Sequence, residues 1–265
     1  MIKVCLAGGA GWAGSELARG IAGVADISVV TAVGRRHVGQ ILGAVLNEPR
    51  LTAPVFATAA EALAVSCDVF VEYTKPDSAK ANILAALERG VNVVVGTSGL
   101  AETDFAEIDA LARRQERGVL ACGNFALTAV LLQRFAEIAA RLIPQWEIID
   151  YASDRKVDAP SGTARELAAR LSRVRAPAPT VPIERTVGPI EARGATLAGS
   201  QVHSIRLPGF TVSAEAIFGM ADQKLTIRHD AGNSAVPYVE GAMIAIRKVG
   251  GLVGVHRGLG TVLDL

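Results

Sequence analysis

Ile2-Lys3-Val4-Cys5-Leu6-Ala7-Gly8-Gly9-Ala10-Gly11-Trp12-Ala13-Gly14-Ser15 decides the fold. The apolar run Ile2–Ala7 is of buried-strand type. It enters a turn holding Gly8, Gly9, Gly11 and Gly14, and a helical pattern continues over Ser15–Ala22. Glycines let a backbone turn tightly and approach a pyrophosphate, while the following helix N-terminus offers free N–H groups and a positive dipole end. A plain tight turn that binds nothing is the alternative. The strand before and the helix after favour the dinucleotide site.

Outward from this turn, apolar strand-like runs alternate with helical patterns. Strands are expected at Ile27–Val33, near Val55, and at Asp68–Tyr73, Val91–Val95 and Gly118–Cys122. Helices are expected at Ala59–Val65, Asp77–Gly90 and Ala101–Arg117. Strands apolar throughout and separated by helices predict a doubly wound parallel sheet covered on both faces. The pattern changes after Asn124. A helix over Leu127–Ile143, a strand over Trp146–Tyr151 and a helix over Gly162–Val174 precede a proline-marked loop at Ala176–Pro182. The β-branched runs between Val202 and His229 predict an antiparallel meander. A helix over Val236–Lys248 and a glycine-rich tail follow. The fold class is therefore α/β: an N-terminal Rossmann domain of residues 1–124 with 236–265, and a C-terminal α+β domain of residues 125–235 with an antiparallel or mixed sheet.

Composition narrows the function. Of 265 residues, 50% are hydrophobic and 20% charged, which excludes a disordered chain. Lys+Arg is 27 against Asp+Glu 26, a net charge of +1, so neither a general nucleic-acid binder nor a polybasic membrane surface is expected. No apolar run reaches the roughly 18 residues of a membrane span. The opening lacks a targeting pattern, so a cytoplasmic protein is expected. Cys5, Cys67 and Cys122 are odd in number and widely spaced, which excludes a paired framework; Cys5 and Cys67 read as core residues. No two of His37, His203, His229 and His256 stand at helical i, i+4 spacing, so no metal is expected. No G-x-S-x-G turn of a serine hydrolase occurs.

Cofactor choice is read at the end of the second strand. An acidic residue there would hold the ribose hydroxyl of NAD. This chain has Gly34-Arg35-Arg36-His37 instead. Two guanidiniums suit a 2′-phosphate, which predicts NADPH as the preferred cofactor, with NADH possible; a solvated basic loop is the alternative. The strand-end segments Val71-Glu72-Tyr73-Thr74-Lys75-Pro76 and Gly96-Thr97-Ser98-Gly99 are placed for the nicotinamide. Lys156-Val157-Asp158-Ala159-Pro160-Ser161-Gly162-Thr163-Ala164 opens a helix. A lysine, two hydroxyls and backbone N–H groups there suit a carboxylate or phosphate. A helix simply capped by Ser161 is the alternative.

Together with Asn124-Phe125, Arg193-Gly194 and the tail Val262-Leu263-Asp264-Leu265, these stretches resemble the dihydrodipicolinate reductase family over essentially the whole chain. The Lys156–Ala164 segment is the most specific of them. The resemblance implies hydride transfer from NAD(P)H to a cyclic unsaturated imine dicarboxylate, in lysine and diaminopimelate biosynthesis. It also implies a homotetramer formed through the sheet of the second domain. It places the cofactor at Gly8, Gly11, Trp12, Ala13, Gly14, Thr74, Gly96, Thr97, Ser98, Asn124 and Phe125, to which the residue reading above adds Arg35 and Arg36. It places a small carboxylate substrate at Lys156, Ser161, Gly162 and Thr163, with Lys156 catalytic.

The departures cluster. The family's glutamate–x–His–His run before the lysine is Asp150-Tyr151-Ala152-Ser153 here, so Ala152 stands where the general acid is expected and Ser153 where a substrate contact is expected. The family's Arg-Met in the glycine turn is Trp12-Ala13, the Ser after Asn-Phe is Ala126, and an arginine beyond His229 is Ser234. Lys156 is the remaining family proton donor, and Tyr151 and Asp154, near in sequence, are candidates to relay a proton. Three readings stay open: the lysine-pathway reaction, a related reductase acting on another small imine or carbonyl compound, and a nucleotide-binding sensor without catalysis.

Overall fold

The computed structural model describes residues 1–263. Asp264 and Leu265, the end of the tail quoted above, lie outside the described residues. The chain divides into two units, residues 1–127 with the chain from Ser234 onward, and residues 128–233.

The first unit holds β1 (Ile2–Ala7), α1 (Trp12–Ala22), β2 (Ile27–Val33), α2 (Leu42–Leu46), β3 (Val55–Phe56), α3 (Ala59–Ala62), β4 (Val69–Glu72), α4 (Pro76–Glu88), β5 (Asn92–Val95), α5 (Glu102–Arg114) and β6 (Gly118–Ala121). With β12 (Gly254–Arg257) from the end of the chain, its seven strands run β12-β6-β5-β4-β1-β2-β3, all parallel. β1, β4 and β6 are apolar and buried along most of their length because helices cover both faces, the requirement of a parallel sheet. Cys5 is buried and Cys67 packs against the same core, with Phe70, Ile83, Val93 and Ile108.

Helix α8 (Pro237–Lys248) and strand β12 (Gly254–Arg257) come from the end of the chain. α8 packs on α1, and Tyr238 meets the Trp12 ring edge-on at 5.8 Å. The glycine-rich tail pairs Gly254–Arg257 with Gly118–Ala121 at the sheet edge, and so places His256 in a strand. An edge strand faces partners on one side only, so its short and partly polar sequence carries little apolar signal.

The second unit holds α6 (Leu127–Leu142, entering from the first unit), β7 (Trp146–Ala152), α7 (Gly162–Val174), β8 (Ala195–Leu197), β9 (Ser200–Arg206), β10 (Val212–Met220) and β11 (Gln223–Ala231). The sheet order is β11-β10-β7-β9-β8. The expected meander is therefore corrected: β9 and β10 are not neighbours. β7 lies between them, parallel to β9 and antiparallel to β10. The connection from β7 through α7 makes β9 parallel to β7, as a helical crossover does. Alternation puts Trp146, Ile148, Asp150 and Ala152 on the buried face of β7, and α6 and α7 share this face's apolar core. Glu147, Ile149 and Tyr151 point to the other face.

Candidate active site

The first unit gathers its predicted residues at one edge. Because β1, β2, β4, β5 and β6 are parallel, their carboxyl ends carry the Gly8–Gly14 turn, Arg35-Arg36, Thr74, Gly96-Thr97-Ser98 and Asn124-Phe125 on the same side of the sheet. Helix α1 begins at Trp12, earlier than its pattern suggested, so Trp12, Ala13 and Gly14 form its first turn. Gly11 caps that turn without a side-chain bond, and no acidic residue lies in it. Free N–H groups therefore face the turn. The cradle needs glycine. Gly8 has φ +81°, and a Cβ there would strike the Tyr73 carbonyl; a Cβ on Gly14 would strike the Gly8 carbonyl. These residues fit a pyrophosphate.

Two buried groups tie the strand ends together. Glu72, fully buried, accepts the Thr74 amide at 2.6 Å and Asn82 Nδ2 at 2.8 Å, and also the Thr74 hydroxyl. The Thr97 hydroxyl lies 3.3 Å from Glu72 Oε1 and from the carbonyls of Glu72 and Thr74. Burial pushes the Glu72 carboxyl above its ordinary value, against the opposing pull of these hydrogen bonds. Tyr73 packs edge-on against Phe125 at 5.8 Å, and Gly96 lies against both rings. Asn124 Oδ1 accepts the Ala126 amide at 2.8 Å. Glu72 went without a role in the sequence reading. Its signal was a carboxylate ending the apolar run Val69-Phe70-Val71. Arg35 and Arg36 are both exposed and make no hydrogen bond or ion pair among the described residues.

In the second unit, Lys156, Ser161, Gly162 and Thr163 surround the start of α7. Ser161 is buried and caps the helix: its Oγ accepts the Ala164 amide at 3.3 Å, and its own amide goes to Asp150 Oδ2 at 2.8 Å. This is the capping arrangement of the alternative reading. The Gly162 and Thr163 amides and the Thr163 hydroxyl have no hydrogen-bond partner among the described residues, with Gly162 exposed and Thr163 half-buried. Lys156 Nζ lies 2.7 Å from Asp158 Oδ1, and this contact with the ammonium holds the Asp158 carboxyl below its ordinary value.

Ala152 is fully buried. Ser153 Oγ donates to Asp154 at 3.0 Å. Tyr151 donates to Glu215 at 2.9 Å, and Glu215 lies with it on the face opposite Asp150. That orientation removes Tyr151 as a proton relay for the α7 end. Asp150 and Arg206 carry the local structure, and neither was assigned a role from sequence. Asp150 is a charge on the core-facing phase of a strand. Burial pushes its carboxyl up, but hydrogen bonds from Ser161 and Arg206 outweigh this and hold it below the ordinary value. No group of three or more His, Cys, Asp and Glu placed to hold a metal occurs among the described residues, and no helix among them is long and apolar enough to cross a membrane.

A parallel sheet carrying a glycine cradle at its carboxyl edge, with a separate unit presenting a helix N-terminus and a lysine, defines a nicotinamide-nucleotide oxidoreductase. Residues 2–125 match the family described as dihydrodipicolinate reductase, N-terminus, and residues 128–263 its C-terminus. The chain belongs to the dihydrodipicolinate reductase family and, as in that family, is an oxidoreductase that uses NAD(P)H. It is 40% identical over 268 residues to the 4-hydroxy-tetrahydrodipicolinate reductase of Moorella thermoacetica, covering 99% of this chain and 98% of that one. It is 38% identical over 270 residues to the enzyme of that name from Desulfitobacterium hafniense, covering 99% of each. Among solved structures, the dipicolinate-bound dihydrodipicolinate reductase from Paenisporosarcina sp. TG-14 superposes with a TM-score of 0.88 at 30% identity, covering 99% of this chain and 100% of that one. An amine dehydrogenase from Mycobacterium smegmatis shares the fold, with a TM-score of 0.65 at 17% identity over 96% of this chain and 94% of that one.

Proposed function

We propose that the chain reduces a small cyclic imine dicarboxylate of the 4-hydroxy-tetrahydrodipicolinate type with NADPH as the preferred reductant. The observation that carries this reading is the set of donors without partners among the described residues at the start of α7, the Gly162 and Thr163 amides and the Thr163 hydroxyl, with Lys156 in the adjoining loop. Such a set takes a carboxylate.

The nicotinamide nucleotide supplies the hydride when bound. The Gly8–Gly14 turn would hold its pyrophosphate, and Thr74, Gly96, Thr97, Ser98, Asn124 and Phe125 would line the nicotinamide end. Unpaired Arg35 and Arg36 support the NADPH preference, because a 2′-phosphate takes forked hydrogen bonds from guanidinium. Lys156 clamps a substrate carboxylate and donates a proton from Nζ. General acid help of this kind contributes about 10²–10⁴-fold. The face of the second sheet opposite α6 and α7, carrying Ile149, His203 and Ile217, supports assembly as a homotetramer with copies of the same chain. A cytoplasmic enzyme acting without nucleic acid or membrane completes the reading.

One observation favours a second substrate. Positions 152 and 153 are Ala and Ser, one buried and the other hydrogen-bonded to Asp154, so no imidazole stands there. A related imine that is already protonated in solution needs no such acid. The test is cofactor absorbance with freshly generated lysine-pathway substrate, beside a panel of other cyclic imines. Turnover within about tenfold of an ordinary family member supports the first substrate. Fast turnover of another imine alone moves the assignment to it, and nucleotide binding without any turnover would leave a sensor. Titration with both nucleotides tests the cofactor preference: tenfold tighter NADH binding would overturn it.

A further inference from the structure

Arg206 ends β9 in register with Ala152 of β7, on the helix-covered face of the sheet. Its side chain is 16% exposed. Nη2 lies 2.7 Å from Asp150 Oδ2 and 2.7 Å from the Asp158 carbonyl, and Nη1 donates to the Ile205 carbonyl at 2.9 Å. Asp150 Oδ2 also accepts the Ser161 amide at 2.8 Å and the Ser204 hydroxyl at 3.2 Å. One guanidinium nitrogen and one carboxylate oxygen thus join β7, β9 and the loop between Lys156 and Ser161.

Stability alone is a poor reason for this pair. Asp150 Oδ1 and Arg206 Nε are buried without a hydrogen-bond partner among the described residues. A buried ion pair with unmet groups tends to be no more stable than an apolar pair of the same volume. What the pair does is local. The Asp150 carboxylate stands where it takes the amide of Ser161, the N-cap of α7, and turns it inward. Its negative charge, close to the helix start, would repel an incoming anion, and the Arg206 charge cancels it. The hold on the Asp158 carbonyl fixes the loop that carries Lys156.

We propose that Arg206 is a positioning residue for dicarboxylate binding, fixing the Lys156–Ser161 loop and neutralising Asp150 beside the α7 N-terminus. This rests on the reading of that N-terminus as the substrate carboxylate site.

The experiment compares wild type, Arg206→Met and Arg206→Lys. It measures pyridine-2,6-dicarboxylate binding by calorimetry, steady-state kinetics, NADPH affinity and amide exchange at Ser161. Arg206→Met is expected to raise the dicarboxylate Kd and the substrate KM by about tenfold or more, with kcat changed much less and NADPH affinity unchanged. Arg206→Lys keeps the charge but is shorter and loses the Nη1 bond to the Ile205 carbonyl, so a smaller rise is expected. Ser161 amide exchange should quicken in both. Should Arg206→Met fail to fold, Arg206→Lys decides alone. Wild-type KM and Ser161 protection in a folded variant would overturn the proposal while leaving the carboxylate site standing. A wild type that binds no dicarboxylate would overturn the site and the proposal with it.

Discussion

The Thr97 hydroxyl, just beyond β5, lies 3.3 Å from the buried Glu72 carboxylate at the end of β4. The same carboxylate takes the Thr74 amide, so one side chain sets two of the loops assigned to the nicotinamide end. Glu72→Leu leaves the Thr74 and Asn82 donors unmatched, at about 1–3 kcal/mol each. It should raise the NADPH Kd by about tenfold, read by fluorescence titration. Glu72→Gln keeps an acceptor for the threonines and should bind NADPH nearly as wild type. Burial raises the folded-state value of Glu72, so its contribution to stability is present below the unfolded value near 4.5 and is lost as pH rises through the folded one. Thermal melts should therefore show wild type losing ground to Glu72→Gln between pH 4 and neutrality; a constant difference would contradict the assignment.

Tyr73 presents its hydroxyl to a buried place with no hydrogen-bond partner among the described residues, while its ring packs on Phe125. Tyr73→Phe keeps the ring contact and removes the unmet group. Urea unfolding should show a gain of about 1 kcal/mol, with NADPH affinity unchanged. A loss of stability would reveal a partner for that hydroxyl.

Lys156 and Asp158 form an ion pair at 2.7 Å, and at the proposed site a substrate carboxylate would compete with Asp158 for the ammonium. Lys156→Ala should lower kcat/KM by about 10²-fold or more and leave NADPH affinity unchanged, since the lysine is in the other unit. Asp158→Asn frees the lysine and should tighten pyridine-2,6-dicarboxylate binding. Weaker binding in that variant would show that Asp158 helps to orient Lys156.

Ala152 has no space for an imidazole on its packed face, whereas Ser153 is only half-buried. Ala152→His should cost about 1–3 kcal/mol by overpacking, and Ser153→His much less. Arg206 is the neighbour in register, so Ala152→His with Arg206→Ala should lose less stability than the two single losses added. A double-mutant cycle measures this. Strict additivity would mean that the two side chains do not share the space.

Most of the first unit is legible because its strands are buried on both faces and read as continuous apolar runs, while the glycine turn announces itself in Gly8 and Gly14. β12 is the exception: Gly254-Val255-His256-Arg257 gains its strand character from β6, a neighbour far away in sequence. The order of β9, β7 and β10 was hidden for the same reason, since local pattern shows strands but not which strand lies between them. At the site, Lys156 and Thr163 can be found from residue type and spacing. Arg206 could not be found, because its importance arises from a register pairing with Ala152 and from two acceptors on separate segments. Glu72 and Asp150 lie between these extremes: each is a charge in a phase where the strand should be apolar.

The edge strand Gly254–Arg257 also bears on how the protein is made. The ribosome releases β1 through β6 early, then all of the second unit, and only afterwards α8 and β12, which lie on α1 and β6. The nucleotide-binding sheet therefore waits with its β6 edge open while the inserted unit can already finish folding. Newly made chains should pass through a stage at which the later-synthesised unit is native and the earlier one is not, the reverse of the usual N-terminal-first order.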